Sequence, residues 1–430
     1  MSDLIIRKTE GLSGKVEAPP SKALTHRAVI AASLSEGRSA IDNPLICEDT
    51  EATLRACEML GAHIEKTGAR LLLEGFSRPR TPPDVIDCRD SGSTIRFLAP
   101  LCALVRGISV LTGGESLRNR PMGPLLEALQ QLGVKCGSTR GDDKPPILIF
   151  GSGLKGGKAT IRGDVSSQFI SGLLFATPKA ESTTEIQLTT ALESKPYVDL
   201  TVNTLKKHGI KVFYEDDWRF FSIPGAQEYK PFNHRIEGDY SSAAFLMAAA
   251  AITDSTVEIT GLNSGSLQGD REIVEVLRRM GVKIEVKGDS VFVEGEKGNL
   301  KGVSVDVRNT PDLAPVYMVL GCLAEGRTVL QGVKRLRWKE SDRVSAMVTE
   351  LKKMGGQIEE GDNRLVIKGA SKLKGAVLSS HGDHRVAMAC TVAALSAEGR
   401  SVVKGIECIS KSYPNFIRDL GMIGGSFLVR

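Results

Sequence analysis

Aromatic residues make up only 5% of this 430-residue chain, with two tryptophans, and histidine occurs six times. A core so poor in rings must be packed from small aliphatic side chains, and no basic stretch interleaved with aromatics offers a stacking platform for nucleic acid. No sign of charge dominates: 56 basic residues against 51 acidic leave a formal +5. Such a mild excess suits an anionic small molecule, and no basic run of the kind that tracks a phosphate backbone is present. The eight cysteines, at 47, 57, 88, 102, 136, 322, 390 and 408, form no Cys-x-x-Cys pair. That is the pattern of a reduced, cytoplasmic chain. Residues 1–11 lack an apolar stretch long enough for a signal peptide, and the apolar Ala243–Ile252 is too short to cross a bilayer. Neither a membrane nor a nucleic acid is an expected partner.

Glycine, by contrast, is abundant, with 45 residues, and part of it is periodic. A helix-ending signal of the form Leu-x-x-apolar-Gly recurs with its glycine at positions 61, 133, 209, 281, 355 and 424. The spacings run from 69 to 76 residues, and 67 residues close the cycle through the two termini. A fixed period of this kind marks repeated supersecondary units. The segment Leu365–Gly405 aligns with Leu4–Asn43 almost without gaps, down to the endings Ala397-Glu398-Gly399-Arg400 and Ser35-Glu36-Gly37-Arg38. The match predicts that Ser426–Val429 lies beside Leu4–Arg7 in one shared repeat.

Each repeat holds two helical patterns. One is apolar nearly all round, as in Ser242–Ile252, Ala314–Leu323 and Val386–Leu395, and is expected to be buried. The other is amphipathic with charged outer positions, as in Ile273–Met280 and Ala346–Met354. Short β-branched runs such as Lys283–Val286 and Val291–Glu294 lie between them. Three repeats would make one domain, so the expected fold is α/β with six repeats in two domains. Because the termini share a repeat, one domain is expected to combine residues 1–19 with 236–430 and the other to run from 20 to 235. The crossings fall near Pro19-Pro20 and Tyr229–His234, where proline favours extended backbone.

The starts of the buried helices carry a second signal. They read Ser21-Lys22 with Arg27, Asp90-Ser91-Gly92-Ser93, Ser166-Ser167-Gln168, Asp239-Tyr240-Ser241-Ser242, Thr310-Pro311-Asp312 and Gly382-Asp383-His384-Arg385. Capping accounts for Ser, Thr and Asp there. It does not account for Lys22, Arg27 or Arg385, because a cation opposes the positive end of the helix dipole. Cations at that end are reasonable where an anion will sit on the free N–H groups. The outer helices begin with more cations, in Arg118-Asn119-Arg120-Pro121, Ser194-Lys195-Pro196-Tyr197, Lys339-Glu340-Ser341-Asp342-Arg343 and Ser410-Lys411-Ser412-Tyr413-Pro414. Pro121, Pro196 and Pro414 are read as helix starts.

The block Trp338-Lys339-Glu340-Ser341-Asp342-Arg343, with Gly382-Asp383-His384-Arg385-Val386-Ala387-Met388, resembles the 5-enolpyruvylshikimate-3-phosphate synthase family. The resemblance spans the chain through Pro20-Ser21-Lys22, Asp90 to Arg96, Arg120-Pro121, Val165 to Phe169, Ser194 to Tyr197, Pro311-Asp312 and Lys411. It implies a two-domain inverted α/β barrel of βαβαββ units, three per domain. It further implies a cytoplasmic, monomeric transferase of aromatic amino-acid biosynthesis that needs no metal or organic cofactor. The implied reaction moves the enolpyruvyl group of phosphoenolpyruvate to the 5-hydroxyl of shikimate 3-phosphate and releases phosphate.

By the same resemblance, Lys22, Gly92, Arg120, Gln168, Arg343, Arg385 and Lys411 bind phosphoenolpyruvate. Arg27, Ser166, Ser167, Gln168, Ser194 and Tyr197 take shikimate 3-phosphate, with Lys22, Asp312 and Lys339 at its ring. Enclosing two phosphates and two carboxylates requires fixed cations, and forked guanidiniums serve best. Addition followed by elimination needs one group that gives a proton to carbon and later recovers it, assigned to Glu340. It needs another that takes the hydroxyl proton, assigned to Asp312, and Lys22 or Lys339 to hold charge developing on oxygen. With groups drawn from both domains, binding is expected to close a cleft.

Two positions depart from the family pattern. Ala23 stands where a serine is usual, at a cost of about 0.5–1.5 kcal/mol in one neutral hydrogen bond, and Arg335 stands where well-known bacterial members have asparagine. The alternative is a UDP-N-acetylglucosamine enolpyruvyl transferase, which resembles this fold and uses the same donor. Its loop normally carries a reactive cysteine after two glycines, whereas here Gly113-Gly114 is followed by Glu115. A non-catalytic nucleic-acid-binding repeat protein is disfavoured by Asp312 and Glu340, whose carboxylates would repel a phosphate backbone.

Overall fold

The computed structural model describes residues 2–369 and 372–430. The marker glycines end helices in the left-handed region: φ is 116° at Gly61, 81° at Gly133, 77° at Gly209, 94° at Gly281, 93° at Gly355 and 114° at Gly424. Glycine alone takes this conformation without a Cβ penalty, so it turns each outer helix into the next strand. One complete repeat shows the plan. Strand Ser304–Asp306 leads through helix Ala314–Leu323 to strand Arg327–Gln331, then through helix Arg343–Lys353 to strands Gln357–Glu360 and Arg364–Lys368. The first two strands pair in parallel, and the last pairs antiparallel with both the second and the third. The spatial order 1-2-4-3 holds in all six four-stranded sheets among the described residues.

The chain divides into two compact units, Met1–Pro19 with Glu237–Arg430, and Pro20–Ile236. Ile236 falls in the second unit, where its N–H donates to Asp42 O at 2.9 Å. In the first unit, strand Asp3–Arg7 pairs antiparallel with Phe427–Val429, Leu4 opposite Val429 and Ile6 opposite Phe427. The terminal segments thus complete one repeat, as the internal alignment predicts. Strand Ser13–Glu17 pairs in parallel with Ser255–Thr260, and in the second unit His234–Arg235 pairs with Ile41 and Asp42.

Each unit has its own core. Every residue of helices Tyr240–Ala251 and His384–Ser396 is buried, as an all-round apolar sequence requires. Helix Glu272–Arg279 buries only Ile273, Val274, Val276 and Leu277 and sets its acids in the first turn and its arginines in the last. Pro196 opens helix Lys195–Lys207. Pro121 and Pro414 instead lie in the turns ahead of helices Gly123–Gln131 and Phe416–Met422. No described helix is long and apolar enough to cross a membrane.

Candidate active site

In the unit containing Glu237–Arg430, buried helix starts gather charge. Asp312 lies in the 3-10 turn Pro311–Leu313, just before helix Ala314–Leu323. Arg343 opens helix Arg343–Lys353, and Asp383 caps helix His384–Ser396 by accepting from Arg385 N at 2.9 Å. Arg343 is the hub. Its Nη1 donates to Asp312 Oδ1 at 2.8 Å, its Nη2 to Glu340 Oε2 at 2.6 Å and its Nε to Asp383 Oδ2 at 2.8 Å. Arg385 Nη2 lies 2.9 Å from the other oxygen of Asp312, and Lys339 Nζ lies 3.7 Å from Oδ1. Lys411 approaches from the 3-10 segment Ile406–Lys411 and donates to Gly382 O at 3.5 Å.

This packing sets the ionisation. Burial alone would raise the Asp312 carboxyl, but Arg385, Lys339 and Arg343 outweigh it and hold the group well below the ordinary carboxylate range. Burial pulls the Lys339 ammonium down to about 8, opposed by Asp312 and assisted by Arg343 and Arg335. Burial works against the Arg343 charge too, yet Asp383, Glu340 and Asp312 raise its pKa overall. The cluster is therefore a carboxylate set locked by a guanidinium, with one lysine poised to titrate near neutrality. Arg335 is buried, and its Nη2 donates to Arg308 O at 2.7 Å.

The unit Pro20–Ile236 holds a second set. Lys22 opens helix Lys22–Ser33, and its Nζ donates to Asp49 Oδ2 at 2.8 Å. Gly92 opens helix Gly92–Cys102, and a Cβ added there would stand 2.8 Å from Arg120 Nη1 and 3.3 Å from Arg96 Nη1. Two guanidiniums thus lie close against a helix N-terminus, where an added methyl would displace Arg120, an arrangement suited to an anion. Arg96 also donates to Gln168 Oε1 at 2.7 Å, and Gln168 Nε2 donates to Ser93 Oγ at 2.8 Å. Ser166 caps helix Ser167–Ala176, accepting from Gln168 N at 3.3 Å.

Arg27 is buried and donates to Thr201 Oγ1 at 2.8 Å, Ala23 O at 2.9 Å and Tyr197 O at 2.7 Å. Burial lowers its pKa to about 10, so it stays a cation near neutral pH. Ser194 precedes helix Lys195–Lys207 in the left-handed region, at φ 55°, and is buried. Ala23, which lacks the usual hydroxyl, contributes its carbonyl to Arg27.

The structure therefore gathers Asp312, Lys339, Glu340, Arg343, Arg385 and Lys411 in one unit. In the other it gathers Gly92, Arg120, Ser166, Ser167 and Gln168, with Lys22 held by Asp49 and with Arg27 beside Tyr197. Sequence reasoning did not assign Asp49, Arg96 or Asp383. Arg96 and Asp383 lie inside the motifs themselves, whereas Asp49 looks like an ordinary acid in a first helical turn and carries no sign that it meets Lys22.

Comparison with known proteins bears on what this arrangement is. The family model for EPSP synthase (3-phosphoshikimate 1-carboxyvinyltransferase) matches residues 6–420. A 3-phosphoshikimate 1-carboxyvinyltransferase from Methanocaldococcus jannaschii is 44% identical over 430 residues, covering 99% of each chain. One from Methanococcoides burtonii is 45% identical over 421 residues, covering 97% of each. The solved EPSP synthase of Acinetobacter baumannii superposes with a TM-score of 0.82 at 28% identity, covering 100% of this chain and 99% of that one. With the match running the length of both units, the chain belongs to the EPSP synthase family.

Proposed function

We propose that this chain transfers the enolpyruvyl group of phosphoenolpyruvate to the 5-hydroxyl of shikimate 3-phosphate and releases inorganic phosphate. The observation that carries the reading is Arg343, which holds Asp312, Glu340 and Asp383 together beside Lys339 and Arg385. Each of these groups has a task in joining two polyanions by proton transfer. Phosphoenolpyruvate is assigned to Lys22, Gly92, Arg120, Gln168, Arg343, Arg385 and Lys411. Shikimate 3-phosphate is assigned to Arg27, Ser166, Ser167, Gln168, Ser194 and Tyr197, with Lys22, Asp312 and Lys339 at the ring.

Glu340, which must be protonated when the step begins, gives a proton to the methylene carbon, and the 5-oxygen bonds to the adjacent carbon. Asp312 takes the hydroxyl proton. The adduct then returns a methyl proton to Glu340 and expels phosphate, which takes up the proton held by Asp312 and leaves the enol ether. A carboxylate held as low as Asp312 is a weak base while three cations face it. Incoming phosphate and carboxylate groups draw those cations off, and its basicity rises in the complex. The reading extends to a monomeric enzyme, as the family resemblance implies, and to a cytoplasmic one, in keeping with eight free cysteines, of which seven are buried.

The test is phosphate release by the purified protein with phosphoenolpyruvate and each of two acceptors. Release is expected with shikimate 3-phosphate and not with UDP-N-acetylglucosamine, consistent with Gly113-Gly114-Glu115 and its missing cysteine. No release with shikimate 3-phosphate from folded protein would end the proposal.

Two variants probe the separate units. In Gly92→Ala the new methyl forces Arg120 aside. KM for phosphoenolpyruvate is expected to rise about tenfold, which is about 1.4 kcal/mol, with KM for shikimate 3-phosphate within twofold; equal changes in both would contradict the assignment. Lys339 must be charged to steady oxygen, so kcat/KM is expected to fall as pH rises through about 8. Lys339→Arg keeps the charge at all accessible pH, so that falling limb should disappear from the profile.

A further inference from the structure

All three cations assigned to phosphoenolpyruvate in the Glu237–Arg430 unit depend on one short loop, Ser379 to Asp383. Lys411 donates to Gly382 O, Asp383 holds Arg343, and the Asp383 cap starts the helix that carries Arg385. The loop has an uncommon shape. His381 and Gly382 are consecutive left-handed residues, with φ of 52° and 68°. Glycine adopts that shape freely, whereas a histidine there needs outside support.

The support comes from Glu350, a carboxylate buried on helix Arg343–Lys353. Its Oε2 accepts from Ser379 N at 3.1 Å, and its Oε1 lies 2.7 Å from His381 Nε2. Lys353 Nζ donates to the same carboxylate at 2.7 and 2.9 Å. Glu350 and Arg343 are seven residues apart and share one face of the helix. Glu350 grips the start and middle of the loop, and Arg343 grips its end at Asp383. We infer that Glu350 is a positioning residue that straps the Ser379–Asp383 loop to helix Arg343–Lys353 and so sets Arg385 and Lys411 for phosphoenolpyruvate. The inference rests on the enolpyruvyl-transfer reading and adds to it a residue far along the helix from the reacting atoms.

The test uses the full-length protein, with Glu350→Gln and His381→Val compared with Lys353→Met and His381→Asn. Glu350→Gln removes the charge, and His381→Val removes the ring donor and places a β-branched residue at positive φ. Both are expected to raise KM for phosphoenolpyruvate about tenfold with KM for shikimate 3-phosphate within twofold. Both should also speed amide exchange at Ser379 to Arg385. Asparagine tolerates the left-handed region but is too short to place a donor where His381 Nε2 stands, so His381→Asn should keep the loop shape and show only part of the KM rise, whereas Lys353→Met should stay near the unaltered protein. A loss of kcat with both KM values and the loop amides unchanged would overturn the inference in favour of plain fold support. So would unaltered constants in both Glu350→Gln and His381→Val. Absence of phosphate release from the unaltered protein would instead overturn the transfer reading, and amide exchange would still decide the strap. If Glu350→Gln fails to fold, His381→Val at the half-exposed end of the contact carries the same comparison.

Discussion

Glu340→Gln is expected to lower kcat by about 10²- to 10⁴-fold, the usual contribution of a positioned acid–base group, while the fold is retained. The carboxylate lies on the short stretch between the 3-10 turn Lys334–Trp338 and helix Arg343–Lys353, and its packing partner is Arg343. A glutamine of the same shape still accepts from Arg343 Nη2, and Asp312 and Asp383 still hold that guanidinium. What disappears is the capacity to deliver and recover a proton. In deuterated water, the unaltered enzyme should place deuterium on the methylene carbon of recovered phosphoenolpyruvate, and the variant should not. Near-normal turnover with normal deuterium incorporation would reassign the proton transfer to another group.

Arg343→Met should lose both activity and stability. The guanidinium is 2% exposed and serves three carboxylates, so its removal takes from Asp312, Glu340 and Asp383 the cation they share, with Arg385 and Lys339 remaining at Asp312. Breaking a buried charge set by deleting one member costs about 3–5 kcal/mol. The pH dependence carries a definite sign. In the unaltered protein Asp312 is held low, so the stability it contributes is complete above about pH 4, its unfolded value, and is lost as pH falls through the lower folded value. The variant lacks one of the three cations responsible and has less to lose. Urea midpoints should therefore differ most near pH 7 and converge below pH 4. A variant as stable as its parent at pH 7 would mean that the carboxylates find other partners without cost.

The period of the marker glycines made much of the fold legible, because the turn from outer helix to strand admits only a left-handed residue. Helices that are apolar on every side, such as Ala314–Leu323, could only be interior ones, and the structure gives that helix those bounds. Strand ends were less legible: the runs read as Lys283–Val286 and Val291–Glu294 extend over Lys283–Lys287 and Ser290–Gly295. Prolines 121 and 414 stand two residues ahead of their helices, because a fixed φ suits the approach to a helix as well as its first residue. At the site, misplaced cations at helix starts were visible in the sequence. Their anionic partners were less so. Asp49 pairs with a lysine 27 residues away, and Glu350 pairs with a histidine 31 residues away. An acid in a helix looks the same in sequence whether its partner is water or a distant loop.

The parallel pairing of Ser13–Glu17 with Ser255–Thr260 bears on synthesis. Leu12 N donates to Ser255 Oγ across 243 residues of chain. During translation the early strands emerge long before their partners and must wait while the whole of Pro20–Ile236 is made. That intervening unit already possesses every strand of its own three sheets once Arg235 is out. It can mature while the rest is being made, whereas the flanking unit has to wait for residues 237–430, at the slower pace of distant contacts. Nascent chains halted beyond residue 236 should consequently resist protease within Pro20–Ile236 and be cut readily in the leading residues.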